Sequence, residues 1–427
     1  MKVLIVGGGG REHAIALKIK ENPEVTALYA APGNGGIAQI ATCLPFKATD
    51  VDGIVRWAAE NKVDFVIVAP DDPLCLGMVD ALAAQGIPAF GPRKNAAIIE
   101  GSKVFSKNLM KKYGIPTAAY ETFDDYDEAV KYLQTADMPI VVKADGLALG
   151  KGVLICPDRE SAVEAVASMM KEAKFGASGA RVVIEEFLTG PEVSVLAFTD
   201  GKTVKPMVSS MDHKRALDHD EGLNTGGMGT IAPNPCYTPE LARRCMDEIF
   251  LPTIAAMNAE GRTFTGCLYF GLMMTPKGPK VIEYNCRFGD PETQVVLPLL
   301  KSDLLTIMRA TVDGTLADTP VEFASGAACC VVLASGGYPV SYKSGYPISG
   351  LDEAGKTATV FHAGTKLIDG QIVTAGGRVL GVTATANTLE AAIDKAYQAA
   401  DKITFTDMHM RRDIGQRALA SRKESHS

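Results

Sequence analysis

Glu283, Asn285 and Arg287 alternate through the segment KVIEYNCRFGDPETQ. Successive side chains of an extended strand face opposite ways, so these three project from one face. A carboxylate and an amide oxygen suit magnesium, which takes few protein ligands and completes its shell from phosphates and water. A guanidinium fork beside them suits a transferring phosphoryl group. The plainer alternative is a polar strand face with a salt bridge, but three such groups beside a glycine turn are costly unless something occupies the face.

Other segments carry complementary chemistry. KADGLALGKG, running from Lys143 to Gly152, lies between two apolar runs and ends Gly150-Lys151-Gly152-Val153, whereas a Walker loop would end GK[ST] and enter a helix. The pattern, with Gly146 inside it and a lysine near each end, predicts a flexible hairpin over a polyphosphate rather than plain turn glycines. Closure strengthens its lysines, because unit charges about 4 Å apart interact by about 1 kcal/mol in water and about 4 at an effective dielectric of about 20. RVVIEEFLTGPEV brings a strand to Glu185 and Glu186, then Phe187 and Leu188, with Glu192 beyond. One backbone edge there can pair with an adenine while Glu192 reaches ribose hydroxyls, although a charged strand end is usually only solvated. SSMDHKR offers Asp212 and Lys214 to a zwitterion, and LNTGGMG offers Asn224 with Gly226 and its neighbours. His213 alone is more often a packed residue than a catalyst.

The opening MKVLIVGGGGREHAI reads as strand, glycine turn and helix, the start of a dinucleotide fold. The fingerprint fails twice. Glu12 or His13 stands at the third glycine position, and the second strand ends in Ala30-Ala31-Pro32-Gly33-Asn34 without a ribose-binding acid, which argues against NAD. Two readings of the glycines remain open: bare amides at a helix N-terminus awaiting a phosphate-bearing small molecule, or close packing of strand and helix.

The elements that must position these groups follow from pattern. To about residue 100, apolar runs (VLIV, TALYA, FVIVAP, IPAFG) alternate with helical stretches at 50–61 and 74–85, predicting a parallel sheet with helices on its faces. Strand pairs and a helix over 159–173 then suggest a lid-like unit. The strands EVSVLAFTD and TVKPMVSS, a helix over 239–260 and the strands CLYFGLMM and KVIEYNC form a larger α+β unit. The strands AACCVVLA, TATVFHA and GGRVLGVTATA precede a helix over 389–402. The predicted division is 1–103, 104–188, 189–325 and 326–427: parallel α/β, lid, metal-bearing lobe and a small β-rich C-terminal unit.

Composition agrees with a multidomain globular chain. Its 427 residues exceed one core, and 47% are hydrophobic with a mean hydropathy of +0.08. No apolar run approaches the roughly 18 residues of a membrane helix, and Val3–Val6 is too short for a signal-peptide core, so a cytoplasmic protein is expected. Nine cysteines without a CxxC pair read as buried thiols. A net charge of −7 argues against a nucleic-acid partner. The basic tail RRDIGQRALASRKESHS reads as a solvated terminal helix.

The segments GGREHA, APGN, EGSK, GIPTA, KADGLALGKGV, IEEFLTG, DHKR, NTGGMG, EYNCRFGDPETQ, SGGYP, VFHAGT, GGRVL and RRDIGQRA run in this order along the chain. With them it resembles, nearly end to end, the glycinamide ribonucleotide synthetases, the phosphoribosylamine glycine ligases of purine synthesis within the ATP-grasp superfamily. The resemblance implies that ATP phosphorylates glycine and that the amine of 5-phosphoribosylamine displaces phosphate. It assigns Lys103 and Lys143 to ATP phosphates, Lys151 with its glycines to the lid, and Glu185, Glu186, Phe187 and Leu188 with Glu192 to adenosine. Glu283 and Asn285 would bind Mg2+ or Mn2+. Arg287 and Lys214 would be catalytic, lining the glycine and acyl-phosphate site with Asp212, Asn224 and Gly226. Gly9, Gly10 and Asn34 would face phosphoribosylamine. Neither a membrane nor a nucleic acid is an expected partner, and the expected assembly is a monomer or weak oligomer. One segment departs: the family usually reads Gly-Pro-Glu-x-Pro-Leu where this chain has APDDPL, so Ala69 adds a methyl and Asp71 is a shorter acid at the ribose contact.

Overall fold

The computed structural model describes residues 1–147, 152–172 and 176–424. The chain begins with a five-stranded parallel sheet of β1 (Lys2–Gly7), β2 (Ala27–Pro32), β3 (Thr42–Cys43), β4 (Phe65–Val68) and β5 (Ala89–Phe90), in the order β3-β2-β1-β4-β5. Helices cover both faces, so VLIV and FVIV are buried along their whole length. These helices are α1 (Gly10–Lys20), α2 (Val51–Glu60), α3 (Asp71–Cys75), α4 (Met78–Ala84) and α5 (Lys94–Gly101). Asp50 caps α2 through Gly53 N–H. The helix expected over 74–85 is instead two helices, because Gly77 adopts φ +90°, a left-handed conformation that ends one turn and starts another.

α6 (Lys103–Tyr113) leads into the lid, an antiparallel sheet of β6 (Tyr120–Phe123), β7 (Ile140–Ala144), β8 (Val153–Cys156) and β9 (Val182–Glu186) in the order β6-β9-β7-β8. α7 (Tyr126–Leu133) and α8 (Arg159–Met170) pack on one face, burying Leu133, Val166 and Met169 against Val142 and Ile184. The helix predicted to reach Ala173 ends at Met170; Ala173 itself lies outside the described residues.

β10 (Glu192–Thr199) and β11 (Val204–Pro206) form the expected hairpin. The short strands β12 (Met211–Asp212), β13 (Arg215–Leu217), β14 (Glu221–Asn224) and β15 (Gly229–Ala232) follow. The helix predicted over 239–260 runs as α9 (Pro239–Cys245), a π-turn over Met246–Phe250 and α10 (Leu251–Ala259). β16 (Gly266–Thr275) and β17 (Gly278–Asn285) complete the sheet β11-β10-β16-β17. α11 (Thr293–Val296) and α12 (Leu304–Asp313) then lead to the last unit. It comprises β18 (Ala327–Ser335), α13 (Leu351–Gly355), β19 (Thr359–His362), β20 (Thr365–Ile368), β21 (Gln371–Thr374), β22 (Arg378–Ala386), α14 (Leu389–Ala400), β23 (Met408–His409) and α15 (Gln416–Glu424).

The last sheet is not self-contained. Its order β12-β15-β18-β22-β19, with β23 beside β18, takes two strands from before residue 233. The strands on either side of DHKR and NTGGMG are thereby hydrogen-bonded into the C-terminal sheet. The tail also differs from the expected solvated helix: Arg411 is 1% exposed and Ile414 is fully buried, because the residues before α15 fold back against β13 and β14.

Three histidines are buried at these junctions. His362 N–H donates to His13 Nδ1 at 2.8 Å, so that nitrogen carries no proton. His213 Nε2 accepts from Gly415 N–H at 3.1 Å, leaving Nδ1 to donate to Gly229 O. Burial, with His362 adding to it, lowers His13 to about 3. Burial followed by Arg411 and Arg417 lowers His213 to about 4, and burial lowers His362 to about 4. All three fold neutral, whereas an unfolded histidine protonates near pH 6.5. Below that pH the unfolded chain binds more protons, so stability falls with pH until each folded value is reached. The expected loss approaches about 3 kcal/mol per histidine. Urea unfolding at successive pH values from neutral to about 4.5 measures it, and a flat midpoint over that range rejects the argument.

Candidate active site

The lid meets the larger lobe at a cluster of lysines. Lys143 on β7 pairs with Glu185 on β9 and donates to Ile282 O at 3.2 Å. Lys107 on α6 pairs with the same carboxylate at 2.5 Å and donates to Thr117 Oγ1 at 2.8 Å, which donates in turn to Val281 O. The three charged side chains are at most 5% exposed. Burial would raise Glu185, but Lys143 and Lys107 hold it below its usual value. Burial lowers Lys107 to about 8 against the pull of Glu185. Two buried cations on one anion leave an excess of positive charge, which a phosphate would balance. Lys103, at the start of α6, donates to Gly146 O at 2.8 Å, and burial lowers it while Glu283 opposes.

Glu185 therefore faces the lysines. Glu186, one residue on, faces the other way, half-exposed, and pairs with Lys280 at 3.5 Å. Phe187 and Leu188 are half-buried past the end of β9, and among the described residues their backbone groups make no hydrogen bond, leaving an edge open to a planar heterocycle. In the lid loop, a Cβ on Gly146 would lie 2.3 Å from Ser178 Oγ. Gly152 is buried and its carbonyl accepts from Ala144 N–H at 2.8 Å. Gly150 and Lys151 lie outside the described residues. Sequence reading missed Asp145, which accepts from Ser102 Oγ and Val104 N–H, both at 2.8 Å, and pairs with Arg181 at 2.6 Å. It ties the lid to the N-terminus of α6.

Glu283 and Asn285 on β17, with Arg287 just past its end, meet in one charged cluster. A bulge at Ile282, where Leu272 pairs with Val281 and Gly271 with Glu283, sets their aim. Glu283 Oε1 stands 3.7 Å from Lys214 Nζ. Burial would raise its carboxyl, but Lys214, Lys143, Lys103 and Arg287 hold it low, so it stays ionised. Asn285 Nδ2 donates to Glu100 Oε1 at 2.8 Å. A carboxylate can only accept, so the amide nitrogen must face Glu100 and Oδ1 is left for another partner. An ionised carboxylate with a free amide oxygen fits a hard divalent cation that draws its other ligands from phosphates and water. Among the described residues no cluster of three or more His, Cys, Asp or Glu offers a fuller cage.

Arg287 pairs with Glu100 at 3.1 Å, and its buried Nε has no partner among the described residues. Glu100 also accepts from Cys286 N–H at 2.7 Å, so this one acid on α5 fixes the whole turn after β17. Its only sequence signal was a place in EGSK. Asp71 lies near Arg287 and Arg11; burial opposes its ionisation, yet the two guanidinium groups hold it below the usual carboxylate range.

Lys214 stands 3.7 Å from Glu192 as well as from Glu283, and although burial opposes it, these acids raise it well above its ordinary value. Asp212 accepts from His213 N–H at 2.8 Å. Burial and then Glu292 push Asp212 well up, and Tyr269 OH donates to Glu292 at 3.1 Å. Asn224, half-buried on β14, lies opposite Arg215. Gly226 N–H donates to Tyr338 OH at 3.1 Å and its carbonyl accepts from Arg378 at 2.8 Å.

The N-terminal turn carries anions of its own. Gly9 N–H donates to Glu12 Oε2 at 2.7 Å and Arg11 N–H to Asp290 Oδ2 at 3.1 Å, so two carboxylates already occupy the place of an anion. A Cβ on Gly10 would lie 2.5 Å from Gln294 Nε2. Asn34 spends its amide on Gly8 O and His362 O and its oxygen on Gly36 and Ile37 N–H. Close packing is one thing these glycines serve. A Cβ on Gly8 would stand 2.4 Å from Gly33 O, a backbone atom that cannot swing aside. Gly8→Ala is expected to lower stability by about 1–3 kcal/mol, which thermal unfolding tests directly.

Comparison with known proteins agrees with this geometry. In chain order, residues 1–100 match the N domain, 101–293 the ATP-grasp (A) domain and 328–417 the C domain of phosphoribosylglycinamide synthetase. The phosphoribosylamine–glycine ligase of Halalkalibacterium halodurans is 49% identical over 425 residues, covering 100% of this chain and 99% of its own. That of Caldanaerobacter subterraneus is 48% identical over 414 residues, covering 97% and 99%. A crystal structure of the Thermotoga maritima ligase superimposes with a TM-score of 0.86 at 35% identity, covering 97% of this chain and 100% of that one. The biotin carboxylase domain of Hydrogenobacter thermophilus 2-oxoglutarate carboxylase shares the fold, with a TM-score of 0.72 at 18% identity, covering 96% and 91%. The lysine-lined lid, the acidic strand and the three matched domains together make this chain a member of the phosphoribosylglycinamide synthetase family, an ATP-grasp ligase.

Proposed function

We propose that the chain joins glycine to 5-phosphoribosylamine at the expense of ATP, through glycyl phosphate. A glycine carboxylate oxygen attacks the γ-phosphorus and ADP leaves. The amine nitrogen then attacks the carbonyl carbon, loses a proton, and expels phosphate with that glycine oxygen. The observation that carries this reading is buried Arg287, whose Nε has no partner among the described residues, in the charged cluster around ionised Glu283 that also holds Lys214, Lys103 and Lys143.

Lys103 and Lys143, with Lys107, hold the triphosphate, and Phe187 and Leu188 hold the base by their free edge, with Glu192 toward the ribose. Glu283 and the Asn285 oxygen would hold Mg2+ or Mn2+, which screens phosphate charge when bound. Arg287 fixes the transferring phosphoryl oxygens, while Lys214, Asp212 and Asn224 orient glycine. Asp71, between Arg11 and Arg287, offers a short carboxylate to the phosphoribosylamine ribose. The four-part division at 103, 188 and 325 separates these duties. The protein works in the cytoplasm as a monomer or weak oligomer without nucleic-acid or membrane partners; among the described residues no helix is long and apolar enough to cross a membrane.

The test is ADP release with ATP, glycine and freshly prepared phosphoribosylamine, each omitted in turn, using glycine labelled with heavy oxygen in its carboxyl group. Dependence on all three with label in the released phosphate supports the reading. Turnover without the sugar amine, equal use of another amino acid, or unlabelled phosphate overturns it.

A further inference from the structure

The MRRDIG segment has no part in the reaction scheme, yet its Arg411 is the most deeply buried arginine among the described residues, 1% exposed. One edge of the Arg411 guanidinium grips Asp413 as a fork, Nε to Oδ1 at 2.8 Å and one terminal nitrogen to Oδ2 at 2.9 Å. The other terminal nitrogen crosses to the β13–β14 hairpin, donating to Arg215 O and to Asp220 Oδ1, each at 3.1 Å. The neighbouring backbone repeats the attachment: His219 N–H donates to Asp413 at 2.9 Å and Arg412 N–H to Asp218 at 2.7 Å.

Beyond these bonds the hairpin is held by His409, whose Nε2 meets Ala216 O at 2.7 Å, and by Arg417, which pairs with Asp220 Oδ2 at 2.7 Å. Its strands pair only with each other, and its Leu217 and Leu223 are 47% and 57% exposed. An isolated two-stranded ribbon is marginal in water. Lys214 immediately precedes Arg215, and Asn224 lies opposite it, so the atoms that Arg411 grips adjoin both groups assigned to glycine.

We propose that Arg411 is a positioning residue: it sets the pitch of the hairpin and so places Lys214 beside Glu192 and Glu283, which makes the glycine site dependent on the docked C-terminal segment. This rests on the glycine reading of Lys214 and Asn224 given above.

Asp220→Ala tests it with little risk to folding, since that side chain is 39% exposed and Arg411 keeps Asp413. The KM for glycine is expected to rise about tenfold while the KM for ATP stays within about twofold, because only one substrate loses its orienting groups. Arg411→Lys, which keeps the charge but loses the fork, is expected to show the same split, and Asp220→Glu to restore most of the glycine KM. Hydrogen exchange of peptides spanning 214–224 is expected to quicken in Asp220→Ala whatever the substrate is. Unchanged exchange, or glycine and ATP constants moving together or not at all, overturns the proposal. A wild-type chain indifferent to glycine, with exchange quickened in the variant, overturns the substrate reading and leaves the clamp standing.

Discussion

Arg287→Ala is expected to lower kcat by about 10² to 10³, the usual cost of losing one preorganised donor to a developing anion. The guanidinium is buried, held by Glu100 at 3.1 Å, and keeps one donor unspent. Those conditions make a cation effective in the transition state, since it needs no reorganisation as charge builds. ATP binding should change by less than about threefold if, as proposed, Lys103, Lys107 and Lys143 carry the ground-state phosphates, since uniform binding is unaffected when a transition-state contact goes. Removing one member of a buried pair also destabilises the fold by about 3 kcal/mol, at the low end of the range because Glu100 keeps Asn285 and Cys286 N–H as donors. Arg287→Lys separates the two effects, restoring charge beside Glu100 without the planar fork, and should recover stability but little rate. Saturating kinetics, calorimetric nucleotide binding and urea unfolding measure the three quantities. A variant that loses ATP affinity and rate in equal proportion would refute the assignment.

Glu283→Gln should divide differently. Loss of the ionised carboxylate proposed to hold the metal is expected to reduce kcat by about 10³, equivalent to several kcal/mol of charge stabilisation. The same carboxylate is the common counter-charge of Lys214, Lys143, Lys103 and Arg287, which together hold it ionised against its burial. Neutralising it removes the counter-charge those cations share and leaves each only its own acid partner. ADP without a divalent ion should therefore bind as tightly as before or tighter, while the gain in affinity on adding Mg2+ shrinks. Calorimetric titration of ADP with and without Mg2+ tests both signs, and a variant that weakens metal-free ADP contradicts the electrostatic picture.

How much of this was legible in the chain depended on range. The alternation of Glu283, Asn285 and Arg287 is a local period, and β17 with the turn after it brings the three together as the sequence suggests. The partners that make those residues work were not legible. Glu100 lies nearly two hundred residues before Asn285, and nothing in its neighbours says which turn it will brace. Lys107 reads as one more surface lysine of an amphipathic helix until β9 delivers Glu185 to it. The glycines of GGGGREHA carried two meanings that residue type cannot separate; Glu12 and Asp290, already on the turn's amides, speak for packing. Gly77 broke a helix that apolar spacing alone would continue. The tail was misjudged for a related reason: its charges suggest solvent, but Asp220 and Asp413 allow Arg411 to be buried.

The sheet that borrows β12 and β15 for a unit otherwise made of later residues has a consequence for synthesis. A chain emerging from the ribosome can complete its lid and lysine cluster once residue 285 is out, yet the edge of β15 stays bare until β18 arrives. Domains fold in order of emergence. A nascent chain would thus assemble its lysine cluster before the strands that flank DHKR and NTGGMG are fully paired, so this shared sheet is the last part of the fold to close.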